Sequence, residues 1–253
     1  ADAETAYAKY LAADGPNAHA PLAVFYIRQR QPEKAIKLAR EHEAKAGPLL
    51  TARLLTGAVR ARRPDPVTEA EVGKWLDAAL RAAAGKPELE AGLIAARAEL
   101  LDAQGKYDDA IRDYELALAK APSDYATNNL CMLLALKQPE RAKEAVKRMT
   151  DLIAIRGPVP AFLDTLAVAH IVSGAPEEAE KDLRMALVQY DRAAYRYHLA
   201  WAIDLAEGSK RVFAAKELEA GKRLGLTAAD LHPLEYRRYV ELLTTYKMPL
   251  DDK

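Results

Sequence analysis

The sequence predicts an all-α solenoid, a row of antiparallel helix pairs in which each pair buries one face against the next. Three observations predict it. Alanine is used heavily, while glycine numbers only 12 in 253 residues and β-branched residues are sparse, a bias that favours helix. Small residues recur around a larger one at helical spacing, as in Ala110, Tyr114 and Ala117. That trio then returns with a period close to 34 residues.

The clearest pair lies in the middle of the chain. Residues 91–104 read as a helix with Pro87 in its first turn, where a missing N–H costs nothing. Gly105 ends that helix, 108–120 form a second, and Pro122 ends the second. Downstream, Ala145, Met149 and Leu152 occupy the equivalent face, with Ala142 as a rival to Ala145. Ala179, Leu183 and Ala186 follow after Gly174, then Ala214, Leu218 and Gly221 after Gly208. From Ala110 the steps to Ala145, Ala179 and Ala214 are 35, 34 and 35 residues. Upstream the pattern is looser, with Ala35 and Ala39 on one second helix and Val72, Leu76 and Ala79 on another.

Turn chemistry repeats with the pattern. Pro32-Glu33, Pro139-Glu140 and Pro176-Glu177 each read as a helix start, with proline in the first turn and glutamate facing the positive helix end. Thr68-Glu69-Ala70-Glu71 reads as a capping box opening the helix that carries Trp75, preceded by a long loop from Arg60 to Pro66. Residues 4–12 read as a second helix without a first. Residues 233–246 read as an amphipathic helix whose Leu234, Tyr239, Leu242 and Leu243 cover the end of the stack, as a terminal repeat must. The expected division is a repeat array over 1–226 and a capping helix with tail over 227–253.

Composition excludes several function classes. Lys+Arg and Asp+Glu balance at 37 each, so nothing favours nucleic acid or an anionic membrane surface. No apolar run reaches the roughly 18 residues of a membrane helix. The single Cys131 allows no internal disulfide and is compatible with a reducing compartment, which slightly favours the cytoplasm. The chain starts Ala1-Asp2-Ala3 without methionine, as a processed chain or a fragment of a longer one would.

At Gly105, Tyr107, Ala110, Tyr114, Ala117 and Pro122 the chain resembles the tetratricopeptide repeat (TPR) family, a two-helix repeat of 34 residues. Residues 125–201 are similar to bacterial TPR proteins, through Asn128-Asn129-Leu130, Phe162 to Ala167 and Tyr195 to Ala200. Arg97-Ala98 and Cys131-Met132 replace the usual Leu-Gly pair, and Asp191 replaces the closing proline, which loosens the register. The resemblance implies a right-handed superhelix of about five to six units, with first helices lining a concave groove that binds peptides or proteins.

Within that register the groove residues are Glu99, Asp102, Tyr125, Asn128, Asn129, Asp164, Thr165, Tyr195 and His198. Asn and Thr can donate to and accept from a peptide backbone, and tyrosine gives contact area at low entropic cost. Such a lining suits an extended peptide of basic or neutral character. A clamp for a C-terminal carboxylate, as in chaperone-tail binders of this family, lacks its cations: the repeats beside Asn129 offer Ala161 and Thr165, and Ala95 and Glu99. Five histidines, His19, His42, His170, His198 and His232, make no metal-binding spacing, and Glu41-His42-Glu43 is not a zinc-protease motif. His170 is expected to be half-buried in helix packing, and Cys131, Trp75 and Trp201 are expected in the core. Arg60, Arg62 and Arg63 read as a solvated cluster. Phosphate loops, serine triads and paired catalytic carboxylates are missing, so neither catalysis nor a cofactor is expected. The expectation is a non-enzymatic scaffold that binds a protein or peptide. The alternative is a spacer or self-association module acting through exposed apolar residues of the first pair or the final helix.

Overall fold

The computed structural model describes residues 3–12, 19–62, 65–206 and 211–250. Ala1, Asp2, Arg63, Pro64 and Gly208, which the sequence reading used, lie outside the described residues. All regular structure among the described residues is helical. The chain forms two compact units, Ala1–Ala126 and Thr127–Lys253.

The first unit holds α1 (Ala3–Ala12), α2 (His19–Arg28), α3 (Pro32–Glu41), α4 (Glu43–Ala61), α5 (Pro66–Ala82), α6 (Pro87–Ala103), α7 (Tyr107–Lys120) and the start of α8 (Asp124–Lys137). Helices α2/α3, α4/α5 and α6/α7 form successive pairs, and the first helices α2, α4 and α6 also touch in sequence order. The seam of α6/α7 is the one read from the sequence: the two helices pack together, and Ala110, Tyr114 and Ala117 of α7 are buried, as are Ala91, Leu93 and Ala98 of α6. Small side chains let the two backbones approach, and the tyrosine ring fills the space beside them. Val72 and Leu76 of α5 join one core with Ala35, Ala39, Leu55 and Leu93.

Helix ends follow the turn chemistry. Gly105 has φ +77° and Gly174 φ +85°, a region that strains any residue with a Cβ. After each, the next backbone N–H reaches five residues back: Lys106 to the Leu101 carbonyl and Ala175 to the His170 carbonyl, both at 2.9 Å. These are Schellman closures that satisfy otherwise orphaned carbonyls.

Two local expectations are corrected. Helix α5 begins at Pro66, and its cap is Asp65, whose Oδ1 accepts from Val67 N at 2.9 Å and Thr68 N at 3.1 Å. Thr68 therefore lies inside the first turn; the carboxylate three residues earlier is the better acceptor for its free N–H. Arg60 stands on the last turn of α4 rather than in a long loop, because α4 continues to Ala61.

The second unit holds the rest of α8, then α9 (Ala142–Arg156), α10 (Pro160–Val172), α11 (Pro176–Gln189), α12 (Ala193–Leu205), α13 (Arg211–Arg223) and α14 (Tyr236–Thr245). The pairs α10/α11 and α12/α13 repeat the seam, with Ala179, Leu183, Ala186, Ala214 and Leu218 fully buried. Ala142 and Ala145 are both buried, so the two rivals share one face of α9. At Gly221 an added Cβ would meet the Ala193 carbonyl at 3.3 Å and Leu226 at 3.2 Å, so glycine permits the close approach of α13 to α12. Polar contacts stitch the hairpins across their seams: ion pairs join Arg97 with Asp113 in α6/α7 and Arg196 with Glu217 in α12/α13, and a hydrogen bond joins His170 with Asp182 in α10/α11. His170 is half-buried in this contact, as expected.

A 3₁₀ turn, Pro233–Glu235, leads into α14, which lays Tyr239, Leu242 and Leu243 into the second core. Tyr239 meets Tyr197 of α12 edge to face at 5.7 Å. Arg238 and Tyr246 both reach Asp204 of α12, each at 2.5 Å. The final helix thus buries its apolar face in the core of the second unit.

Candidate functional site

The first helices carry the expected groove residues, and the structure sorts them by depth. In the second unit, Asp164, Thr165, Tyr195 and His198 are buried, whereas Asn128 and Asn129 are half-buried. In the first unit Glu99 is buried, and Asp102 and Tyr125 are half-buried.

His198 is the centre of a ladder that joins three successive elements. Its Nδ1–H donates to Asp164 Oδ1 on α10 at 2.6 Å, and its Nε2–H donates to Glu235 Oε1 in the cap turn at 2.6 Å. The other oxygen of Glu235 accepts the His232 backbone N–H at 2.9 Å. The three side chains are nearly solvent-free, with His198 3%, Glu235 2% and Asp164 9% exposed. Burial disfavours the charged imidazole, but Asp164 and Glu235 outweigh it and push His198 up to about 10. Burial likewise raises Glu235, while His198 and the His232 N–H more than offset this and leave it below the usual carboxylate range. The ladder therefore carries an imidazolium between two carboxylates. Glu235 was missed by sequence reading. Its signal was present in the register: Asn129, Asp164, His198 and Glu235 follow one another at 35, 34 and 37 residues.

Beside the ladder lies an open cleft of about 380 Å³. Leu136 of α8, Val172 of α10, Trp201 of α12 and Leu234 of the cap turn provide its apolar lining, and Arg237, Arg238 and Glu241 of α14 its charged rim. Trp201 is half-buried, packing on the core with one side and lining the cleft with the other. Asn129 and Leu136 stand two turns apart on one face of α8, as do Asn128 and Ala135. The Asn128 Oδ1 and Asn129 Nδ2 atoms are buried and make no hydrogen bond. Polar atoms in that state carry a desolvation cost that a bound partner can remove.

The first unit has its own polar cluster. Glu99 accepts from the Thr56 hydroxyl at 2.5 Å and pairs with Arg60 at 3.3 Å. Glu99 in turn holds the Arg60 guanidinium above its usual range. The Tyr125 ring lies under Arg53 at 5.8 Å, and burial, then the neighbouring Glu99, pushes its hydroxyl well above the ordinary tyrosine value.

No group of three or more His, Cys, Asp or Glu among the described residues is arranged to hold a metal ion. Cys131 is buried, and burial pushes its thiol up to about 12, so at neutral pH it is a small core residue and not a nucleophile. No described helix is long and apolar enough to cross a membrane.

No family model matches the chain, and no curated protein matches it. Solved structures do. The crystal structure of BtubC (BKLC) from P. vanneervenii aligns with a TM-score of 0.51 at 17% identity, over 89% of this chain and 93% of that one. The TPR2AB domain of yeast Sti1, in complex with pHSP90, aligns with a TM-score of 0.35 at 13% identity, over 89% of this chain and 96% of that one. The likeness to BtubC is one of fold. Together with the 34-residue period, the small-residue seams and the paired helices, it defines an all-α fold of repeating helix pairs.

Proposed function

We propose that the chain is a non-enzymatic scaffold that binds an extended peptide or protein segment on the first-helix face of its second unit. One observation carries this reading: unsatisfied amide atoms of Asn128 and Asn129 stand on the same helix as Ala135 and Leu136 of the cleft lining, two turns before them. A peptide backbone laid along α8 satisfies the two amides once these half-buried side chains turn outward, and a side chain two or three residues further along fills the cleft. Asp164, Thr165, Tyr195 and His198 support this surface from beneath, because burial leaves them little to offer a ligand directly. Asp102 and Tyr125, both half-buried, give the first unit a polar face of its own, with Glu99 buried among them. Self-association through the final helix has less support, since α14 already buries its apolar face inside its own unit.

The test is a displayed peptide library screened against the full chain, with the hits measured by fluorescence anisotropy. Loss of two amide hydrogen bonds at roughly 1 kcal/mol each makes Asn128→Ala with Asn129→Ala weaken the hits at least about tenfold. Trp201→Ala weakens them by a similar factor or more. Hits that keep their affinity in both variants, or a library that yields no hits at all, refute the reading.

A further inference from the structure

The His198 ladder ties the cap turn to the repeat array through a single proton. Both ring nitrogens face a carboxylate oxygen at 2.6 Å. A neutral imidazole has one N–H, so one of these contacts would set a nitrogen lone pair against a carboxylate. Only the imidazolium satisfies both at once. Removing its proton would also leave two carboxylates uncompensated in a buried site. The cap turn therefore cannot stay docked as it is after that proton leaves.

We propose that His198 is a proton-operated latch on the C-terminal cap: docking of the 3₁₀ turn and α14 requires the imidazolium, and opening of the cap releases its proton. Besides Asp164 from α10, the facing groups are Tyr195 and Tyr197 on its own helix and His232 and Glu235 in the turn. From α14, Arg238, Tyr239 and Glu241 act on the neighbouring Tyr197, and Lys222 of α13 donates to the Tyr239 hydroxyl at 2.7 Å. Arg238 is already committed to Asp204 and Glu241. Leu234 and Glu235 also wall the cleft, so opening of the latch alters the surface beside Trp201.

The linkage has a definite sign. His198 titrates at about 10 when docked, against 6.5 for an ordinary histidine. The stability it confers is fully present below the open-state value and is lost as pH rises through the docked value. Opening removes Glu235 and leaves Asp164, so the open-state value lies between 6.5 and about 10; above it, each unit of pH multiplies the population of the open cap by up to about ten. In the second unit, Glu235 acts on the other side: its depressed value confers stability that is lost only as pH falls through the acid range.

The experiment is pulsed hydrogen exchange with mass spectrometry on the full chain from about pH 8 to about pH 9.5, with rates divided by those of an unstructured peptide at each pH. Protection of the α14 amides is expected to fall by up to about tenfold per pH unit in the wild type, while that of α10 stays level. The slope is expected to vanish in His198→Gln and to persist in His232→Asn. If His198→Gln does not fold, Glu235→Gln serves: with one carboxylate gone, the slope must shrink. A flat wild-type profile, a slope retained in His198→Gln or unchanged in Glu235→Gln, or α10 losing protection in step with α14 overturns the latch.

Discussion

The two units bury charge in different ways, and the difference lies in where the counter-charge sits. In the first, Glu99 is answered by Arg60, whose side chain is 56% exposed, and by the Thr56 hydroxyl. Water can take over part of what Arg60 does, and guanidinium keeps its charge at every accessible pH. In the second, the cation itself is buried, it is a histidine, and it serves two carboxylates that have almost no water. The first arrangement tolerates loss of a member and ignores pH on the alkaline side. The second couples three elements and depends on a group that titrates. On the proposed latch, an array of similar hairpins carries a local point of control in the second unit.

The comparison can be broken at either end. The largest effect is expected for His198→Gln in the second unit, where an amide cannot neutralise two buried carboxylates. Breaking such a site costs about 3–5 kcal/mol. Denaturant unfolding followed by Trp201 emission, in a Trp75→Phe background, measures it. A much smaller effect is expected for Glu99→Gln, about 1 kcal/mol, because the amide oxygen still accepts from Thr56 and the exposed Arg60 turns to water. Emission from Trp75 in a Trp201→Phe background measures that loss, which is expected to be level between pH 7 and pH 9. Equal costs at the two sites would dissolve the distinction between them.

Most of the fold is legible in the sequence because the packing rule is local. Two backbones that approach closely need small residues at the contact, so Ala110, Ala117, Ala179, Ala186 and Gly221 announce the seams directly. Gly105 and Gly174 announce their turns because positive φ admits little else. The failures are also local. Thr68 resembles a cap, but Asp65 precedes Pro66 and takes the free N–H groups first. Arg60 resembles part of a loop because its acidic partner, Glu99, lies one hairpin away in sequence.

The site was legible only in part. The repeat register places Asn129, Asp164 and His198 on one face, and Asp164 and His198 do meet. It does not show depth: whether a polar residue on that face meets solvent depends on how the following hairpin covers it. Asp164 and His198 are covered; Asn128 and Asn129 are less so. Glu235 escaped because the 3₁₀ turn before α14 stretches the spacing and because the cap stands outside the repeat pattern. The cleft escaped because its walls come from α8, α10, α12 and α14 together, and no single segment reveals it.

The protonation state of His198 can be observed without perturbing anything. In a histidine-labelled sample at pH 8, nitrogen-15 spectra distinguish an imidazolium, with both ring nitrogens protonated, from either neutral tautomer. The ladder requires His198 to be doubly protonated there, with both N–H protons in short hydrogen bonds to carboxylates. A neutral His198 ring at that pH, with one nitrogen bare, would contradict the account at its centre.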